Sequence, residues 1–272
     1  MVLSSELEFS LKQIIGYIGK KNYLQVLITK EIRDIYLEEN EKKTSLKILV
    51  VSLSILKNYF NLLNIKEKSR ICRLAAFRGN LDCLVYAHEN GCPWDERTTK
   101  SAAFKGNLDC LKYAYKNGCP YNEKTCKWAA TGGSLECLKY LHENNCPWIE
   151  TTCTSAAMYG NLDCLVYAHE KNCPWNKFTC RASVKNGHLD CLVYAHEHNC
   201  PWDKSTCASA AMYGHLDCLV YAHTHGCPWD SETIIYGLKN DHINCVEYAR
   251  ANGCLESDYE SDYESDSESD SE

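Results

Sequence analysis

Apolar residues recur along the chain at the three-and-four spacing of a helix. In residues 95–121 a first run reaches about Phe104, with the small Ala102 and Ala103 open to close packing. Gly106 ends it, as a left-handed C-cap requires. A second run begins at Asn107, and Leu108, Cys110, Leu111, Tyr113 and Ala114 form its apolar face. It stops at Gly118, and Cys119-Pro120 keeps it from continuing. Asp95 is placed as the N-cap of the first helix. The pattern predicts two short helices joined by a tight turn.

This unit repeats every 27 residues. Gly79-Asn-Leu-Asp-Cys83 returns at Gly106, Gly133, Gly160, Gly187 and Gly214, and a worn copy, Asp241-His-Ile-Asn-Cys245, closes the series. Seven copies follow one another without an insertion. The C-cap of the second helix is restricted to Gly91, Gly118, Asn145, Asn172, Asn199, Gly226 and Gly253. These two residue types best tolerate positive φ, so the backbone there is nearly dictated. A pair of helices this short cannot bury its own apolar stripe. Side-by-side stacking makes one continuous core, so the expected fold is an all-α helix-turn-helix repeat solenoid.

The repeat changes the meaning of the composition. All nineteen cysteines fall on three repeat positions: Cys83 to Cys245, Cys92 to Cys254, and Cys72 with Cys126, Cys153, Cys180 and Cys207. Thr99 and Ile234 fill the gaps in the third ladder. All six prolines share a fourth position, and five of six tryptophans follow them, with Tyr121 as the exception. Equivalent positions on packed helices lie about 8–10 Å apart. A disulfide needs Cα atoms within about 7 Å, and zinc needs four ligands around one point. No CxxC occurs. The cysteines therefore read as small buried hydrophobes, and no metal or cofactor is expected. A Cys-rich metal or redox protein is the reading set against this one.

Catalysis finds no footing either. His88, His142, His169, His196 and His223 share one repeat position, where Tyr115 and Arg250 also occur. A residue repeated five times belongs to the scaffold, whereas catalysis needs a unique cluster. No nucleophile–base pair, phosphate loop or carboxylate pair is present. The expectation is no enzyme.

The net charge of −7 is uneven. Glu256 to Glu272 hold nine of the 36 acids and no base, so the rest of the chain is nearly neutral. No strongly basic domain points to nucleic acid. Ser4, Ser5, Glu6 and Glu8 interrupt any signal-peptide layout, and the longest apolar stretch, near Ile48 to Leu56, is too short for a bilayer. These features predict an intracellular, cytoplasmic protein with no membrane contact. A monomer is expected.

The run Ala129-Ala-x-x-Gly133-x-Leu135-x-Cys137-Leu138-x-Tyr140-Leu141-x-x-x-Asn145-Cys146 resembles the ankyrin repeat, with Cys137 in a valine place and Cys146 in an alanine place. The usual unit is six residues longer, and the loss falls between Trp148 and Thr152, where a projecting hairpin would stand. Shortened loops are therefore expected. The motif Gly-Cys-Pro-Trp-Asp, at Gly91 to Asp95 and Gly226 to Asp230, is similar to a short repeat subtype in ankyrin-repeat proteins of giant DNA viruses of amoebae. The resemblance covers roughly residues 71–255. It implies protein binding rather than catalysis, in the host cytoplasm if the source is viral.

Residues 44–70 have the repeat length and read as a degenerate capping repeat, and residues 1–43 read as a helical N-terminal cap. Within the latter, Ile14-Ile-Gly-Tyr-Ile18, Tyr23 to Ile28 and Ile32 faintly resemble an F-box, without its Leu-Pro opening or its late Trp. That resemblance implies a Skp1-like ligase partner through residues 10–35. Residues 256–272 alternate acids with Ser or Tyr and predict a disordered tail. Ser257, Ser261 and Ser265, each with an acid three residues on, are candidate phosphorylation sites, and a purely solubilising tail is the other reading.

Binding should fall where the copies disagree. The variable positions on the first helix and at its end give Lys100, Phe104, Lys127, Met158, Tyr159, Arg181, Met212 and Tyr213 as candidate contacts with an unidentified protein. In ankyrin-type stacks this region lies towards the concave face. Ordinary solvated variation is the alternative.

Overall fold

The structure is a computed structural model and describes residues 52–63 and 65–255. The F-box-like segment 10–35 and the acidic tail with Ser257, Ser261 and Ser265 lie outside the described residues. The chain divides into two compact units, Met1–Thr152 and Cys153–Glu272.

Every element in the described residues is helical. In the first unit, α1 (Leu53–Tyr59) and a short 3-10 turn (Phe60–Leu62) precede three helix pairs. These are α2 (Ile65–Arg78) with α3 (Leu81–Glu89), α4 (Glu96–Lys105) with α5 (Leu108–Lys116), and α6 (Glu123–Thr131) with α7 (Leu135–Glu143). Helix α8 (Glu150–Met158) contains the division. The second unit continues with α9 (Leu162–Glu170), α10 (Lys177–Lys185), α11 (Leu189–Glu197), α12 (Lys204–Met212), α13 (Leu216–Thr224), α14 (Ser231–Lys239) and α15 (Ile243–Ala251). Among the described residues no strand lies between Trp148 and Thr152 or at the equivalent places in the other repeats. The expected boundary at residue 70 falls inside α2, which starts a turn earlier than its equivalents because no Pro-Trp precedes it.

The predicted caps form. Asp95 accepts from the Arg97 amide, and Asn122 forms a reciprocal capping box with Thr125. Gly106 takes φ 71°, and its successor Asn107 donates its backbone N–H to Ala102, five residues back, which satisfies a carbonyl at the helix end.

The first residue of the second helix does something the pattern did not reveal. Asn107 makes no capping bond with its side chain. Its Nδ2 instead donates to the Ala76 and Phe77 carbonyls of the preceding repeat, at 2.8 and 3.1 Å. His215 and His242 likewise lie over Gly187 and Gly214 of the preceding repeat. A Cβ added to Gly187 would come 2.6 Å from the His215 ring, so this glycine answers two demands, positive φ and close contact. At Gly91 and Gly118 a Cβ would meet nothing within 4 Å, which explains why Asn replaces glycine at the second turn but not at the first. Asp241, in the closing copy, holds φ 58° with no further repeat described beyond it.

First helices pack on first helices, α2 on α4 and α4 on α6, then α10 on α12 and α12 on α14, where Gly237 of α14 faces Ala211. Ala102, Ala103, Ala129, Ala130, Ala210 and Ala211 are wholly buried. A leucine of the second helix, such as Leu111, Leu138, Leu192 or Leu219, is wholly buried, and Val246 takes its place in α15. Each pair leans only on its neighbours, so stability accumulates repeat by repeat.

All nineteen cysteines are buried, and all are thiols rather than disulfides. The sequence argument compared equivalent cysteines of neighbouring repeats, whereas the structure brings different ladders together. Cys119 donates its thiol to the Asp95 carbonyl at 3.3 Å, and Cys200, Cys227 and Cys254 repeat the contact with Asn176, Asp203 and Asp230. Each bond ties the end of a unit to its own first residue. The third ladder points its thiols at the carbonyls of the second, as Cys180 does to Cys200 at 3.8 Å. Thr99, the substitute in that ladder, donates its hydroxyl one residue further along, to the Pro120 carbonyl at 2.8 Å. Burial pushes Cys110 and Cys245 up to about 11 and Cys83, Cys164, Cys191 and Cys218 up to about 12. Such thiols stay protonated at neutral pH and are poor nucleophiles.

Candidate functional site

The repeated histidine has a defined job. His88 stacks on Trp94 with ring centroids 3.7 Å apart, and its Nδ1 lies 2.9 Å from the Tyr113 hydroxyl of the next repeat. The same rung recurs as His169–Trp175–Tyr194, His196–Trp202–Tyr221 and His223–Trp229–Tyr248. The two departures in one copy now explain each other. Tyr115 replaces the histidine and Tyr121 replaces the tryptophan, and the two rings pack at 4.7 Å. The longer Tyr115 side chain carries its hydroxyl to the Asn144 carbonyl at 2.8 Å. Each rung joins one repeat to the next.

Two of the rungs make stability pH-dependent. Burial holds His169 and His196 below the usual imidazole range, reinforced by the neighbouring His198 and His225 and opposed by Glu170 and Glu197. The unfolded chain then binds protons first as pH falls through about 6.5. Stability from these groups is complete above that pH and declines below it, until the folded histidines protonate as well. Urea midpoints for the whole chain should fall from pH 7.5 to pH 5.5. Replacing His169 and His196 together by tyrosine should flatten that slope.

The candidate contacts lie on the first helices and at their ends. In the first unit Lys100 and Phe104 lie together in an open groove of about 470 Å³. Arg73 and Phe77 of α2, Arg97 and Ser101 of α4, and Trp128 of α6 complete its lining. Phe104 and Trp128 meet edge to face at 5.5 Å. The Lys105 ammonium stands 4.7 Å from the centre of the Phe77 ring. Lys127 is half-buried beside Trp128 and does not line the groove.

In the second unit Tyr159 is 53% exposed and Tyr213 38% exposed. The Lys185 ammonium lies 5.6 Å from the Tyr213 ring centre. Arg181 donates to the Ser209 hydroxyl at 3.1 Å, and Met158 and Met212 are half-buried. These side chains occupy one kind of surface without converging on a single pocket.

The sequence reading missed Trp128, Arg97 and Phe77. Trp128 is the one tryptophan off the proline ladder, and that was the available signal. Gly132, just after α6, holds another position at which the copies differ. A Cβ there would lie 1.8 Å from the Phe104 carbonyl oxygen, so this residue answers to packing.

No three His, Cys, Asp or Glu side chains among the described residues are grouped to hold a metal ion. No helix among them is long and apolar enough to cross a membrane.

No protein-family model matches the chain, and no curated protein sequence matches it. Among solved structures, the human ASB11 ankyrin repeat domain is similar. It is 16% identical, over 58% of this chain and 84% of that one, with a TM-score of 0.49.

Proposed function

We propose that this chain is a non-enzymatic protein-binding scaffold of the ankyrin-repeat type, acting as a monomer in the cytoplasm and holding its partner on the first-helix side. The observation that carries this reading is a sorting of positions. The repeated cysteines and alanines are buried and the repeated His and Trp are locked in rungs, with fixed exposed residues such as Pro120 and Asp109 kept to turns and helix starts, whereas variable first-helix positions carry exposed Phe77, Trp128, Tyr159, Arg181 and Tyr213. Aromatic and arginine anchors are the side chains that dominate binding energy at protein interfaces. The missing hairpins leave the helix side as the surface on which the repeats differ. Buried thiols on every repeat suit a reducing compartment. A viral source, which the Gly-Cys-Pro-Trp-Asp resemblance implies, would make the partner a host protein.

The test is affinity capture with the full-length chain followed by mass spectrometry. Bait carrying Tyr159→Ala and Tyr213→Ala should lose the partner, or hold it at least about tenfold more weakly. Bait carrying Glu170→Lys and Glu197→Lys, on the second helices, should retain it. Equal loss from both baits would sink the assignment of the surface.

The F-box-like pattern at residues 14–32 favours a second reading, a ubiquitin-ligase adaptor in which the repeats select the target. Capture of a Skp1-like protein by the full chain, and not by a chain lacking residues 1–40, supports it. Failure of the full chain to capture one rejects it.

A further inference from the structure

The first unit sorts its charge between its two kinds of helix. Its first helices, α2, α4 and α6, carry ten Lys or Arg and three acids, Glu67, Glu96 and Glu123. Its second helices, α3, α5 and α7, carry three Lys or Arg and five acids. The surplus cations gather where the groove lies. Arg73, Arg97 and Lys100 line it with three aromatic rings, one hydroxyl and no acid. In the second unit α10, α12 and α14 carry five Lys or Arg, and two of these, Lys177 and Lys204, pair with Asp203 and Asp230.

The groove's cations are incompletely met. Asp95 pairs with Arg97 at 2.6 Å and Glu96 with Lys100 at 2.9 Å. Both members of the Asp95–Arg97 pair are open to solvent, so an incoming carboxylate replaces Asp95 at small cost. Arg73 is half-buried and has no ion pair among the described residues. Burial and the nearby Arg70 and Arg97 lower its pKa, and Asp95 opposes them, which is the environment an added anion relieves. Beside these charges Phe77 and Trp128 leave 39% and 40% of their surface open. Anion sites and apolar surface therefore share one groove within one unit.

We infer that the groove across α2, α4 and α6 docks an acidic, extended segment of a partner protein that carries large apolar side chains between its acids. Arg73 and Lys100 hold equivalent positions on neighbouring helices, and packed helices lie about 8–10 Å apart. In a polyproline-type segment every third residue falls on the same edge, about 9 Å further on. Acids at that spacing bring one carboxylate to each helix, and the residues between them reach Phe77 and Trp128. A nucleic acid strand fits less well, because its bases stack on open ring faces. The Lys105 ammonium stands over Phe77 and Phe104, and Phe104 meets Trp128 edge to face. The inference rests on the first helices being the binding surface, and it names the chemistry of the ligand there.

The test uses a fluorescein-labelled peptide of three Glu-Phe-Ser repeats, titrated with the full-length protein and followed by anisotropy. Binding should weaken with rising salt, as contacts between charges do. Arg73→Gln with Arg97→Gln should weaken it at least about tenfold, and Trp128→Ala about fivefold. Lys177→Gln with Lys204→Gln changes the net charge equally, in the second unit, and should leave binding unaltered. Circular dichroism melts establish that each variant is folded, and Trp128→Ala leaves the charges alone. Peptides with glutamine for glutamate, or with serine for phenylalanine, should bind less well. A single-stranded oligonucleotide of equal charge should also bind more weakly. No binding by the Glu-Phe-Ser peptide, equal weakening by the two pairs of cation changes, or equal binding of the oligonucleotide overturns the inference. If the peptide fails while the Tyr159 and Tyr213 changes still abolish capture of a partner, only the ligand chemistry falls. If neither set of changes matters, the reading of the surface falls with it.

Discussion

Gly132→Ala should destabilise the first unit by about 3 kcal/mol, at the upper end of the usual overpacking cost. The backbone at Gly132 is ordinary right-handed helix, φ −85° and ψ 0°, which alanine adopts without strain. On conformational grounds alone the substitution would stabilise the chain slightly, by restricting the unfolded state. The obstacle is the Phe104 carbonyl, whose oxygen would lie 1.8 Å and carbon 2.7 Å from the new methyl group. Both are backbone atoms, so no rotamer relieves the contact, and the ends of α4 and α6 must part. Gly91→Ala is the control. There φ is +77° with open space around the Cβ, so the cost is only that of the left-handed conformation, about 1 kcal/mol. Urea denaturation followed by circular dichroism should rank Gly132→Ala well below Gly91→Ala. Equal midpoints would mean that the close approach of α4 and α6 is wrong.

Trp202→Ala should cost about 2–4 kcal/mol, somewhat less than for a fully buried tryptophan because the ring is half-exposed. The indole packs on the core of Leu192, Cys200, Leu219 and Ala222 and stacks on His196 at 4.0 Å. Its loss also frees His196, whose Nδ1 lies 3.0 Å from the Tyr221 hydroxyl. The copy with Tyr115 and Tyr121 supplies the natural experiment. His196→Tyr alone puts a tyrosine against Trp202, and Trp202→Tyr alone leaves a smaller ring under the histidine. The two together reproduce the pairing already present at 115 and 121. The double variant should therefore be more stable than the sum of the single losses, with a coupling of about 1 kcal/mol in a double-mutant cycle. Additive losses would show that the rung is not a unit.

Much of the fold was legible in the sequence because the repeat is a local pattern. Helix spacing, the Asp95 cap, the Gly106 turn and Pro120 each act within a few residues of one another, and seven copies print the same message. The cysteines could be assigned to the core for the same reason. What escaped is contact between repeats. Asn107 looks like a cap and serves as a tie to Ala76, thirty-one residues away. The histidine looks like interchangeable packing until Trp94 and Tyr113 are seen on either side of it.

The candidate site was harder still. Variation among copies marked Lys100 and Phe104, but it also marked Gly132, which answers to packing. Arg97 and Trp128 join the site only because α2, α4 and α6 stand side by side. Their adjacency is a property of the stack and not of any single copy.

The central claim is that the repeats bind on the side where they differ and fold on the side where they agree. Site-specific photo-crosslinking in the full-length chain tests it most directly, with a photoreactive phenylalanine at Phe104, Tyr159 or Tyr213 on one side and at Glu143, Glu170 or Glu197 on the other. A common partner should be trapped from the first three positions and not from the last three. Trapping from Glu143, Glu170 and Glu197 alone would contradict the account.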